Sequence, residues 1–240
     1  MHFHLPKPLH GWREFAGEVG IIVIGVLIAL GAEQLVEDLH WRVQVRETDQ
    51  RVQKDLIANL TNAEERFAID PCLRPRLIEL RDALLADRTT WPGSQARFAN
   101  DIYKSEFPGV YRTPVRPWIE TSWHTAQNGE TLSHFDPDRV QQLANLFDDV
   151  DALRETQSEE VKASEDLGDL AFPGQITAAE RRSRLNTIAK LDALDSRILY
   201  LAQLLRNDAR NAGIAPDPNS VRDAIEQQRA YRGTCVKTAS

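Results

Sequence analysis

The sequence predicts an all-α protein in which an N-terminal transmembrane helix continues into a bundle of long helices. Three observations carry that prediction. A single strongly apolar run, Gly17 to Glu33 (GEVGIIVIGVLIALGAE), stands near the N-terminus. Downstream of it, Leu, Ile and Val recur at spacings of three and four, the period of one helix face. No stretch alternates apolar and polar residues convincingly enough to read as a strand.

The apolar run admits three readings. From Val19 to Ala32 there are 14 residues without a charge, fewer than the roughly 20 a span usually needs. Extended from Phe15 to Val36 it becomes 22 residues, or roughly 33 Å of helix, which matches a hydrocarbon core. Trp12 and Trp41 lie just outside these limits, where indole rings prefer to sit. A cleaved signal peptide is the main rival, because Ala29-Leu-Gly31 is an acceptable small-x-small site. Its n-region is weak, however: Lys7 and Arg13 are offset by Glu14 and Glu18. The run also passes into an unbroken helical pattern, with Leu35, Leu39 and Val43 spaced by four. A buried soluble helix ranks third, since a helix apolar all round needs a large core about it. The expectation is an uncleaved anchor, residues 15–36, preceded by a short tail, residues 1–14.

Within the anchor, Gly25 and Ala29 form a small-xxx-small pair, with Ala32 on the same side. That face suits close packing against another helix, although small residues are also common in any span. Glu18 is a carboxylate at the edge of the apolar segment, either an interfacial group or a contact to a partner. His2, His4 and His10 read as an interfacial tail more simply than as a metal cluster.

The pattern Gly17-Glu18 followed by Val23-Ile24-Gly25-x-Leu27-Ile28-Ala29-Leu30 resembles the N-terminal signature of an uncharacterised family of single-span bacterial membrane proteins. The match covers about twenty residues. Where family members often place Asn and Trp soon after the core, this chain has Glu33-Gln34 and Trp41. The resemblance implies a retained anchor in the inner membrane and a mainly helical body, and it implies no reaction.

Residues 37–232 are expected to form the helical body. The anchor helix should run to about Ala68 on the stripe Val45, Val52, Leu56, Leu60 and Phe67, with Asp70-Pro71 as its stop. Leu73, Leu77, Leu80 and Leu84 mark a second helix ending before Trp91-Pro-Gly93, and Ser94 to Lys104 a short third. Phe107 to Pro117 reads as loop. Trp118 to Gly129 carries Ile119, Trp123 and Ala126 on one helical face, with Asn128-Gly129 as its stop. Asp136-Pro137 opens a helix that buries Val140, Leu143, Leu146, Phe147, Val150 and Leu153, and Phe172-Pro-Gly174 closes it. Thr177-Ala-Ala-Glu180 is a capping box for a helix to about Asn211. Asp217-Pro-Asn-Ser220 starts a last one, and residues 233–240 form a tail.

The formal charge of −7 falls entirely on residues 33–240, and an acidic body argues against nucleic-acid binding. Two cysteines, Cys72 and Cys235, are too few for a thiolate zinc site but enough for one disulfide in an oxidising compartment. Positive charge hardly orients the span, with Lys7 and Arg13 on one side and Arg42, Arg46 and Arg51 on the other. The cysteine pair favours the body in the periplasm.

For chemistry, Glu120 and His124 share a helix face beside Trp118 and Trp123, and these four are the candidate ligand pocket. Packing of both tryptophans, with Glu120 and His124 facing water, is the simpler reading. Charge runs such as Glu159-Glu160 and Arg181-Arg182 read as solvated helix faces. No phosphate loop, nucleophile elbow or HExxH motif is present, and no cofactor is implied. The functional expectation is a non-enzymatic scaffold or accessory subunit whose partners are the bilayer and either a second membrane protein or another copy of itself. The alternative is an extracytoplasmic ligand-binding, sensor-like module that signals through a partner.

Overall fold

The computed structural model describes residues 11–86, 89–96 and 109–238. Helix α1 spans Gly11–Leu85 without interruption. It is followed by strand β1 (Thr90–Pro92), α2 (Thr121–Gln127), α3 (Pro137–Glu165), β2 (Pro173–Gln175), α4 (Ala178–Asn211) and α5 (Pro218–Arg232). The all-α class is observed. Among the described residues it departs from that class in an antiparallel ribbon that pairs Thr90 with Gln175 and Pro92 with Pro173. Three-residue strands with proline at their ends are too short for alternation to register in a sequence.

The N-terminal part of α1 is one segment long and apolar enough to cross a membrane. Its most apolar 18-residue window has a mean hydropathy of 2.3, and none of it is buried. Beyond it, the same helix becomes the spine of the body. Val52, Leu56 and Leu60 pack with Leu143, Leu146, Phe147, Val150 and Leu153 of α3, and with Ile198, Leu201 and Leu205 of α4. Further along, Ile69, Leu73, Leu77, Leu80 and Leu84 meet Ile188 and Leu191 of α4 and Ile225 of α5. Ala163 near the end of α3 joins this second cluster, so α3 runs in the same sense as α1, and α4 returns antiparallel to both. Each fully buried Leu contributes about 1.5–3 kcal/mol.

The expected break at Asp70-Pro71 does not occur. Pro71 and Pro75 both lie inside α1, although an interior proline removes a backbone donor and costs about 3 kcal/mol. Burial outweighs the local signal. Ile69 and Leu73, on either side of Pro71, are 0% and 2% exposed. The C-terminal tail also docks here, where the Lys237 amide donates to the Ala68 carbonyl at 2.9 Å. Cys72, between the two prolines, is bonded to Cys235 with an S–S distance of 2.09 Å. The tail is thereby tied to the middle of α1.

The caps form where side chains dictate them. The Thr177 hydroxyl accepts from the Glu180 amide at 3.2 Å, and Glu180 accepts from the Thr177 amide at 2.8 Å. Asp136 accepts from the amides of Asp138 and Arg139 ahead of Pro137. Two expectations shift. Helix α3 ends at Glu165, and a 3-10 turn at Gly168–Ala171 precedes Phe172. Helix α2 starts at Thr121 rather than Trp118. Residues 94–96 are not helical, and the rest of the expected third helix lies outside the described residues, as do His2, His4 and His10.

Candidate functional site

The four residues of the expected pocket do not converge. Trp118 and Trp123 are core residues, 8% and 5% exposed, and Trp123 stacks on Phe147 with ring centroids 5.3 Å apart. Glu120 pairs with Arg154 of α3 at 3.0 Å. His124 faces solvent, and its Nδ1 lies 3.2 Å from Gln127 Oε1. Trp123 and His124 are neighbours on α2, about 100° apart around its axis, so one meets the core and the other water, while Trp118 packs from the segment before the helix. Amide clamps from α1 hold the segment down. Asn59 exchanges two 2.8 Å bonds with the Ile119 backbone, and Asp55 accepts from the Ser122 amide at 2.9 Å.

A different site emerges where the two apolar clusters meet. Arg66 of α1, 4% exposed, lies between Glu160 of α3 and Asp195 of α4, both 0% exposed. It donates to Glu160, and to Asp195 at 2.7 Å. Its other terminal nitrogen donates to the Thr113 hydroxyl at 2.7 Å, which in turn donates to Glu160. Arg74 reaches Asp195 from the rim at 3.3 Å. Expected as part of a solvated face, Glu160 is instead a fully buried anion. Its partner stands 94 residues away in sequence, so no local pattern announces the pair.

The electrostatics follow from two carboxylates sharing one fully buried cation. Burial pushes the Asp195 carboxyl up to about 6, with Arg66 opposing the shift and Asp70 and Glu160 adding to it. Burial also works against the Arg66 charge, but Glu160, Tyr111 and Asp195 outweigh it and hold its pKa above the ordinary value. The Tyr111 phenol is pushed up by burial and then by Glu160. Its hydroxyl has no hydrogen-bond partner among the described residues. Such a layer locks the register of α1, α3 and α4, because any slip leaves a buried charge unpaired.

Beside this layer, between residues 111–116, α3 and α5, lies a hollow of about 450 Å³ lined by Tyr111, Arg112, Arg116, Glu165, Gln228 and Arg232 among others. Arg116 is held by both oxygens of Glu65 at 2.7 and 2.8 Å. Burial lowers the Arg232 pKa, and the guanidinium donates to Gln228 Oε1 at 2.7 Å and to the Arg112 carbonyl at 3.0 Å. A second hollow, about 670 Å³, opens where α1 leaves its apolar segment and is bounded by Trp41, Asp49, His134 and Arg139. There Trp41 stacks on His134 at 3.8 Å. Among the described residues, no three His, Cys, Asp or Glu side chains are grouped to hold a metal ion.

Glu18, Gly25, Ala29 and Ala32 all lie on the exposed surface of α1. A methyl group added at Gly25 would meet nothing within 4 Å. Compared with protein-family models, with curated proteins and with solved structures, the chain matches none.

Proposed function

We propose that this chain is a single-span membrane protein, non-enzymatic, whose helical body serves as a scaffold or accessory subunit of a membrane assembly. The observation that carries this reading is the continuity of α1. One 75-residue helix is both the apolar segment and the spine of the body. A displacement of the span is therefore transmitted to α3, α4 and α5 without an intervening hinge. That no residue of the apolar window is buried supports a lipid-embedded segment over a core helix, since apolar surface of that extent is unfavourable in water. The Cys72–Cys235 bond supports an oxidising compartment, and hence a periplasmic body on an inner-membrane anchor. The resemblance of the anchor to single-span bacterial proteins is in keeping with this placement. Purification of the full-length chain in mild detergent, with mass determination, tests the reading. A discrete complex of more than one chain is expected, and a strictly monomeric, partner-free protein would count against it.

The hollow at Arg112, Arg116 and Arg232 favours a second reading, an extracytoplasmic module that binds a small ligand and signals through a partner. Arg112 and Arg232, beside the Glu65-paired Arg116, border about 450 Å³, a volume and chemistry that suit a small organic anion. A thermal-shift screen of the full chain with citrate, benzoate and inorganic phosphate tests it. No shift with any of the three would remove the support.

A further inference from the structure

From the exposed side of α1 we infer that two copies of this chain pair in parallel along a heptad seam that begins inside the apolar segment and continues beyond it. The inference rests on the membrane-anchor reading for its lower half only. The seam follows from spacing. Gly25, Ala29, Ala32, Val36, Leu39 and Val43 are separated by four, three, four, three and four residues, and Ile22 and Glu18 extend the series toward the N-terminus by three and four. That alternation is the a/d pattern of a left-handed coiled coil. Six consecutive members of the series are Gly, Ala, Val or Leu, although the helix crosses in this interval from purely apolar sequence into sequence rich in charge.

Burial along the helix shows that the chain itself leaves the seam uncovered. Trp41 stacks on His134, Val45 packs against the lower cluster, and Thr48 and Val52 are buried, so these four positions mark the side of α1 that faces the body. At 3.6 residues per turn, Val36, Leu39 and Val43 lie about half a turn away from them. They are 68%, 61% and 42% exposed. A second helix laid on the seam therefore meets neither α3 nor α4 of the first copy, and the two bodies extend away from the dimer axis. The seam ends at Arg46, which occupies the next seam position and is exposed.

Inside lipid there is no hydrophobic gain from burying one apolar side chain against another, so close backbone approach must supply the attraction, and Gly25, Ala29 and Ala32, between the larger Ile22 and Val36, permit it. Outside lipid, removing Leu39 and Val43 from water is itself favourable.

Charge selects the occupant. With Val43 at an a position, Arg42 is the g residue before it and Glu47 the e residue of the next heptad. In a parallel pair, Arg42 lies across from the partner's Glu47. Both residues are exposed, and among the described residues neither takes part in an ion pair within the chain. A second copy satisfies both charges twice over, by symmetry. Identical spans also insert with the same orientation, which makes the parallel arrangement the available one.

Cysteine cross-linking in native membranes tests this, because the two natural cysteines are already bonded to each other. Leu39→Cys and Val43→Cys place a thiol on the seam, and Asp38→Cys places one off it at another exposed position of the same turn. After mild oxidation, the expected result is a species of twice the 27.2 kDa chain mass for the two seam variants, several-fold more abundant than for Asp38→Cys. Adding Gly25→Leu to Leu39→Cys should reduce its yield several-fold. No dimer, or equal dimer from all three positions, would overturn the seam. An adduct of another mass would overturn the second copy as its occupant. Carbonate extraction of the same samples separates the two claims: seam cross-links in a protein released from the membrane would leave the dimer standing and remove the span.

Discussion

Replacing Arg66 with Met is the sharpest probe of the body's interior. The variant keeps volume but leaves Glu160 and Asp195, both 0% exposed, without the cation they share. Breaking a buried pair from one side costs about 3–5 kcal/mol. Protonation sets the ceiling. At pH 7.5, neutralising a carboxylate of ordinary pKa costs about 1.4 kcal/mol per pH unit over about 3.5 units, or about 5 kcal/mol. The native variant relieves the charge by taking up one proton that the unfolded chain does not hold, so its stability rises by about 1.4 kcal/mol per unit as the pH falls. Between pH 7.5 and 5.5 that amounts to about 2.7 kcal/mol.

The parent protein gains less over the same interval. Asp195 titrates at about 6 in the folded state, above its unfolded value. An acid with a raised folded pKa contributes stability that is complete below the unfolded pKa and lost as pH rises through the folded one. From pH 7.5 to 5.5 this returns only about 0.8 kcal/mol. The gap between variant and parent should thus narrow by about 2 kcal/mol. Urea unfolding of the full-length chain in mild detergent, followed by tryptophan fluorescence, measures it, because Trp91, Trp118 and Trp123 are all buried. A loss under about 1 kcal/mol at pH 7.5, or a gap that does not change with pH, would refute the reasoning.

Further predictions concern the helix interface, the bridge and the Trp118–His124 segment. Asp149 of α3 is pushed up to about 6 by burial, then by Asp208 of α4 and Asp148, so Asp149→Asn should stabilise the chain by about 1 kcal/mol at pH 7.5 and lose that advantage near pH 4, as thermal melts at both pH values would show. Removing the bridge with Cys72→Ser and Cys235→Ser opens a loop of 163 residues, for which a loss of about 2–5 kcal/mol is expected in urea. Hydrogen exchange should also quicken at the Lys237 amide, and unchanged exchange there would show that the tail docks without the bridge. Trp123→Ala should cost about 3–5 kcal/mol, whereas His124→Ala, at an exposed position, should stay within about 0.5 kcal/mol. The reverse order would restore the site expected around His124.

What could be read from the sequence depended on how far apart the determining residues lie. The caps at Thr177 and Asp136 are local chemistry, complete within four residues, and they form as expected. The core stripe of α4 is legible for the same reason, its Leu and Ile positions repeating within single turns. Pro71 was misleading because the competing term, burial of Ile69 and Leu73 against α4 and the C-terminal tail, is tertiary. Glu160 read as a surface charge because Glu159-Glu160 carries no local sign of Arg66 or Asp195. In the Trp118–His124 segment the simpler reading, tryptophans packed and His124 in water, was legible from helical spacing alone, since Trp123 and His124 stand about 100° apart. The arginine-lined hollow draws on residues more than 100 positions apart, such as Arg112 and Arg232, and only the folded chain assembles it.

Whether α1 is a retained anchor carrying the body on one continuous helix is decided on the full-length chain in native membranes. Alkaline carbonate extraction, intact-mass measurement and protease treatment of spheroplasts would be run on the same preparation. A retained anchor stays in the membrane pellet with residues 1–31 still attached, and protease reaches the body from outside. Recovery in the soluble fraction with a new N-terminus at Ala32 would show the apolar run to be a leader, and the anchor would be gone.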